Sequence, residues 1–188
     1  LEGELQNTPD ADQSQKIVCI YRSLKKEFYL DDIAYEKFSH HIGKFPCVII
    51  APDDIALITG GSEERRKYMD TLISQVDTQY LQHLIVYNKL LAQRNSFLKN
   101  EASKSGFDLP LLETLDMQLI RPAKYIHHAR KEFTQKLFPL IQQFYQHISG
   151  NKEIVMLEYN SQLNENKFEE LLVALRYRDR LNQRTNTG

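Results

Sequence analysis

The stretch Pro52-Asp53-Asp54-Ile55-Ala56-Leu57-Ile58-Thr59-Gly60-Gly61-Ser62-Glu63-Glu64-Arg65-Arg66-Lys67-Tyr68-Met69-Asp70 divides this chain in two. It reads as an acidic turn, an apolar step, a Gly-Gly break and the start of a helix. Ser62 is expected to cap that helix, and Glu63 and Glu64 suit its positive end. Strand-like sequence lies before the stretch and helical periodicity after it, so the boundary falls between residues 58 and 59.

Upstream, Gln6 to Gln15 is polar with Pro9 and reads as a loop. Lys16-Ile17-Val18-Cys19-Ile20-Tyr21-Arg22 is β-branched and aromatic, a strand, with Glu27-Phe28-Tyr29-Leu30 as its partner. Ala34 to Ile42 reads as a short helix closed by Gly43 in the left-handed conformation. Cys47-Val48-Ile49-Ile50 is a continuous apolar run of the kind found in buried strands.

Downstream, Asp77 is the expected cap of a helix running to about Ala102. Tyr80, Leu84, Tyr87, Leu91 and Leu98 make a narrow apolar stripe along it. Ser105 to Pro110 is a turn, and a long helical stretch follows from Leu111 to Ser149. Its seam is Leu119, Ala123, Ile126, Phe133, Leu137, Leu140 and Phe144, while Pro122 and Pro139 are expected to bend or segment it. Glu153 to Tyr159 reads as a strand, and Lys167 to Asn182 as a last helix with Phe168, Leu171, Leu172 and Leu175 inward. The fold class is therefore α+β: a small β-rich part, then a mainly helical part with a long antiparallel hairpin.

The chain has 188 residues, 41% hydrophobic and 26% charged, with net charge −1, so a sizeable core is available. Global charge gives no support for nucleic-acid binding, and a DNA-facing surface would have to be a local patch. Cys19 and Cys47 lie far apart in apolar runs and read as buried, reduced thiols, which suits the cytoplasm. No apolar run is long enough to span a membrane, and no signal peptide is recognisable. The chain lacks an initiating Met, and the expectation is a fragment.

No G-x-x-x-x-G-K-[ST] phosphate loop occurs, so these residues alone are not expected to hydrolyse nucleotide, and no catalytic residue is assigned. The pairs His40-His41 and His127-His128 are adjacent, pointing about 100° apart on a helix, and no metal site is expected. Arg65, Arg66 and Lys67 are placed either to contact phosphate or to serve a structural interface; Arg66 and Asp70 share a helix face and suggest an intrahelical pair. Arg94 lies about 40° from the apolar stripe at 100° per residue, so it is expected inside, against a buried carboxylate, and Gln93 points away. Arg121, Lys124, Arg130 and Lys131 give the long helix a basic side, and Arg176, Arg178 and Arg180 do the same near the end. Tyr125 and Tyr145 are open to base stacking or to packing.

The opening stretch resembles the signature of the RecF family. Pro52, Asp53, Leu57, Ile58, Gly60, Gly61, Arg65, Arg66, Tyr68, Met69 and Asp70 fit that pattern, and Ser62 stands where the family usually has Pro. Tyr80-Leu81, Tyr87 and Gln93-Arg94-Asn95-Ser96-Phe97-Leu98-Lys99 are similar to a second family segment. Ser149-Gly150, the Tyr159 segment and Thr185-Asn186-Thr187-Gly188 fit further ones.

The resemblance implies an internal piece of an ABC-type, SMC-like ATPase of DNA replication, recombination and repair and the SOS response. Residues 1–58 would be the β-rich portion of ATPase lobe I and residues 59–188 the helical lobe II. The whole protein would use ATP and Mg²⁺, form an ATP-dependent homodimer, bind single-stranded or gapped DNA, and work with RecR and RecO. Asp53 or Asp54 would approach nucleotide or Mg²⁺; an Asx-type turn is the other reading of these two residues. Arg94 and Asp70 would be structural. The rival readings are a stand-alone helical interaction module and a lobe of another SMC- or Rad50-like head.

Overall fold

In the computed structural model, which describes residues 2–5, 15–22, 24–101 and 107–187, a four-stranded antiparallel sheet precedes a helical body. The strands are β1 (Glu2–Leu5), β2 (Gln15–Arg22), β3 (Lys25–Leu30) and β4 (Ile33–Ala34), in sequential order. β2 and β3 pair over Ile17↔Leu30 to Arg22↔Lys25. β1 carries two glutamates and a glycine and shows no strand pattern of its own; its register on β2, Glu2↔Val18 to Leu5↔Gln15, makes it a strand. Residues 6–14 of the expected loop lie outside the described residues, and Gln15 opens β2.

Three expectations upstream of residue 59 are corrected. Ala34 to Ile42 is not a helix: only Phe38–His40 makes a 3₁₀ turn, and Phe28, Phe38 and His41 stack beneath it. Aromatic packing on the sheet thus replaces helical hydrogen bonding. Cys47 to Ile50 forms no strand and is exposed, with Val48, Ile49 and Ile50 at 71%, 81% and 89%. A strand-like run needs neighbouring strands to bury it, and no strand pairs with this one among the described residues. Cys47 is accordingly exposed rather than buried, and Cys19 is half-buried.

Gly43 does adopt positive φ (+86°), and a side chain there would meet the Gln75 carbonyl oxygen at 2.8 Å. The Gln75 side chain in turn accepts the Cys47 N–H (2.7 Å), joining this segment to the helices.

The helical body comprises α1 (Ala56–Thr59), α2 (Ser62–Val76), α3 (Thr78–Glu101), α4 (Leu109–Ser149) and α5 (Phe168–Asn182). The Asp77 carboxylate accepts the Tyr80 N–H and caps α3, and Asp108 caps α4 through Leu111 N–H. Gly150 in the left-handed conformation closes α4. α3 and α4 form an antiparallel hairpin: the pairs Tyr80–Arg130, His83–Tyr125 and Arg94–Asp116 descend along α4 as they ascend α3, and Phe97 meets Phe107 just before α4 begins.

Two apolar clusters fill the body. Ile73, Tyr80 and Ile126 join α2, α3 and α4; Leu90, Leu119, Ala123, Phe168 and Leu172 join α3, α4 and α5.

α4 runs for 41 residues through Pro122 and Pro139 as one element, so the prolines do not segment it. Each removes one backbone bond, and at the buried Pro122 packing against neighbouring helices outweighs that loss. α3 has 24 residues, so α4 outruns it, and the far end of the seam is uncovered: Leu140 is 51% exposed and Phe144 66%. Glu153 to Tyr159 is not a strand either. Ile154 and Met156 are exposed, and the segment lies along α4, with Val155 O accepting from Gln142 and Glu153 from Tyr145.

Candidate functional site

The Pro52–Asp70 stretch is a tightly bonded corner. Ala51 N–H donates to the Asp54 carboxylate (2.8 Å) and Asp54 N–H to Ala51 O (3.0 Å), closing the acidic turn. Asp53 remains exposed on the turn. Gly60 N–H returns to Ala56 O, and a Cβ on Gly60 would stand 2.5 Å from that oxygen, so the chain reversal requires glycine. Gly61, not Ser62, takes the cap position of α2. Ser62 is the first helical residue, and its hydroxyl accepts from Arg66 (3.0 Å).

Arg65 donates to Leu57 O (3.2 Å) and Gly60 O (3.0 Å), so its guanidinium ties α1 and the Gly-Gly break to α2. Lys67 pairs with Glu63 in solvent (2.8 Å).

The expected Arg66–Asp70 pair is not formed. Asp70 is taken by Arg130 of α4, whose Nε and Nη2 reach the carboxylate at 2.8–2.9 Å. The fully buried Tyr80 hydroxyl donates to the same carboxylate and accepts from Arg130 Nε (3.1 Å). A partly buried guanidinium with a bidentate partner outcompetes a solvated i,i+4 contact, because its charge-assisted bonds form at lower dielectric. Arg130 is therefore turned inward, bonded to α2 and α3. Burial pushes the Tyr80 phenol well above its ordinary pKa; Arg130 opposes the rise, and the Asp70 carboxylate adds to it.

Arg94 is fully buried. Its Nε reaches Asp116 of α4 (2.7 Å), and its Nη1 reaches Asp179 of α5 (2.7 Å) and the Thr185 hydroxyl (2.8 Å). Arg176 adds to the cluster, bonding Glu113 (3.0 Å) and Asp116 (3.4 Å). Asn95 accepts both the Thr185 N–H (2.7 Å) and its hydroxyl (2.8 Å). Neither Asn95 nor Asp179 is marked as a site residue by any motif in the sequence. The signal for Asp179 was its position on the inward side of α5 beside Leu172 and Leu175, where an acid needs a cation.

The remaining basic residues lie on the surface. Arg121, Lys124, His128 and Lys131 are all exposed and fall within an arc of about 80° at 100° per residue, so they form one row along α4. Lys124 holds Glu169 (2.8 Å) and lowers that carboxyl's pKa. Arg180 lies over the Phe107 ring (4.0 Å), and Arg178 is exposed. Tyr125 stacks on His83 and donates to Asp77, and Tyr145 bonds Glu153, so each phenol has a partner within the chain.

A cleft of about 760 Å³ opens between the Gly43–Ile49 segment, the Asp53–Leu57 corner and α2. Asp53, Asp54, Lys67 and Tyr68 are on its wall. Among the described residues no group of three or more His, Cys, Asp or Glu side chains could hold a metal ion, and no helix is long and apolar enough to cross a membrane.

No protein-family model matches the chain. Curated proteins named DNA replication and repair protein RecF do match: from Parabacteroides distasonis, 40% identical over 177 residues, and from Flavobacterium johnsoniae, 40% over 189 residues. These matches take in 94% and 100% of the chain but 47% and 52% of the relatives. Two solved structures of the recombination mediator protein RecF in the RecFOR pathway also superpose. The ATPrS form has TM-score 0.88, is 26% identical, and is matched by all of the chain over 52% of its own length. The ATP form has TM-score 0.80, is 29% identical, and is matched by 93% of the chain over 49% of its own length.

The likeness extends over the whole chain, sheet and helical body together. The chain belongs to the RecF family, and it spans about half the length of the curated relatives it matches.

Proposed function

We propose that this chain is the sheet-and-helix half of a RecF-type protein that binds gapped or single-stranded DNA and dimerises with ATP. Residues 1–58 are part of lobe I, and residues 59–188 are lobe II. ATP with Mg²⁺ is the nucleotide of the intact cytoplasmic protein, and RecR and RecO are its partners. The likeness of all of the chain to the RecF–ATPrS structure, and of 93% of it to the RecF–ATP structure, carries this reading.

The chain contains no phosphate-loop sequence, so its contribution is mechanical. Asp53, exposed on the acidic turn, is the residue nearer to a nucleotide role, because Asp54 is committed to Ala51 N–H. Among the basic residues, the Arg121–Lys124–Lys131 row is the DNA-facing group, with Arg66 and Lys67 subsidiary. Arg65, Arg94, Arg130 and Asp70 hold the helices together.

The test compares the intact protein with the 188-residue chain. The intact protein is expected to dimerise on adding ATP and Mg²⁺ and to prefer gapped over blunt duplex DNA at moderate salt. The chain alone is expected to hydrolyse no ATP. An intact protein that ignores both ATP and DNA would overturn the reading.

A further inference from the structure

After α5 the chain makes a short exit, from Gln183 to Thr187, that is bonded more densely than a chain leaving a helix needs to be. Gln183 is left-handed (φ 51°), and Arg184 N–H returns to Asp179 O (3.1 Å). The next two backbone N–H groups are then taken by side chains: Thr185 by Asn95 of α3 (2.7 Å), and Asn186 by the buried Asp179 carboxylate of α5 (2.9 Å). The Thr185 hydroxyl donates to Asn95 and accepts from Arg94, so its rotamer is fixed from both sides. The Asn186 side chain adds a second bond to Asp179 (2.8 Å), and Thr187 is 5% exposed.

The entry to the helical body is held in a comparable way. There Arg65 grips the carbonyls of Leu57 and Gly60. Hinges are residues free to absorb a change of φ and ψ. Neither crossing has that freedom, because side chains of the helical body hold the backbone at each.

We infer that Asn95, supported by Arg94, is a positioning residue that fixes the path of the chain out of α5, so that the helical body and its flanking segments turn as one unit when ATP binds. The dependence on ATP rests on the proposed RecF-type function; the hold on Thr185 does not. Among the described residues Asn95 acts only as an acceptor, so an isosteric carboxylate keeps the bonds and an apolar side chain of similar size loses them.

Two measurements test this with Asn95→Leu and Asn95→Asp. In the 188-residue chain, hydrogen exchange at the Thr185 amide is expected to speed up about tenfold in N95L and to stay near wild type in N95D, since one or two net hydrogen bonds are at stake. In the intact protein, N95L is expected to weaken ATP-dependent dimerisation about fivefold or more, with its melting temperature within about 2 °C of wild type and with N95D restoring dimerisation. Unchanged exchange in N95L overturns the hold on Thr185. Dimerisation at wild-type strength, or a loss shared by N95D or matched by a fall in melting temperature, overturns the positioning role. A wild-type protein that does not dimerise with ATP overturns the ATP-linked motion and the proposed function together, and the exchange data still decide the hold.

Discussion

Arg130 on α4 and Asp70 on α2, 60 positions apart, share a bidentate ion pair that also engages Tyr80 on α3. One carboxylate thus fixes the mutual rotation of three helices. Their side chains keep 16% and 19% exposure, so solvent weakens the pair only in part. Arg130→Ala is expected to destabilise the chain by about 2–3 kcal/mol, at or below the low end for broken buried pairs. A double-mutant cycle with Asp70→Ala, read by urea unfolding, should recover a large coupling between the two sites. The salt dependence of DNA binding by the intact protein should not change in Arg130→Ala.

Tyr80 sets a pH limit. Its folded pKa is raised, chiefly by burial, so the folded state holds the phenol proton more tightly than the unfolded state does. Stability from this group is fully present below the ordinary tyrosine pKa of about 10 and is lost as pH rises beyond it. Burial raises Tyr87 and Tyr159 in the same direction. Urea unfolding between neutral pH and pH 11 should show stability falling above about pH 10, with a shallower fall in Tyr80→Phe.

Arg94→Met would leave Asp116 and Asp179 buried without their central cation. A loss of about 3–5 kcal/mol is expected, measured by chemical denaturation. Arg94→Lys should recover little, because a single ammonium cannot reproduce the planar fork that reaches Asp116, Asp179 and Thr185 together.

The surface row behaves differently. The double variant Arg121→Gln, Lys131→Gln is expected to leave the melting temperature near wild type and to weaken DNA binding by the intact protein. If both residues contact phosphate, the log–log salt slope should fall by about 1.4–1.8. An unchanged slope would remove this face from the DNA-binding surface.

Gly43→Ala tests the link between the sheet region and α2. Positive φ and the 2.8 Å approach to Gln75 O both oppose a side chain. A loss of about 1–3 kcal/mol is expected from thermal unfolding, the sum of left-handed strain and a backbone clash.

The residues show unevenly how much of this was legible beforehand. β2 and β3 were visible because their β-branched and aromatic residues are bounded by turn signals. The Asp77 cap was visible because capping is a contact between near neighbours. Cys47 to Ile50 and Glu153 to Tyr159 were misread as strands: composition states a preference, and a strand also needs a partner on its edge. The seam at Leu140 and Phe144 was read as helical, which it is, but its exposure depends on where α3 stops.

In the site, Arg121, Lys124 and Lys131 do share one side of α4, but Arg130, expected with them, points inward to Asp70; the offset of Arg94 from its apolar stripe is a property of α3 alone. Asp70 shows the limit. Its i,i+4 neighbour Arg66 was the natural partner on the helix, yet Arg130 took the carboxylate from another element.

Residue order was enough for the α+β class, the long helices and the family, because these rest on local periodicity and on motifs whose spacing is written along the chain. Which acid meets which arginine, and the hold of Asn95 on Thr185 across 90 positions, required the packed helices. Such pairings depend on distances that only the closed hairpin and the docking of α5 create, where low dielectric makes a distant charged partner stronger than a near one in water.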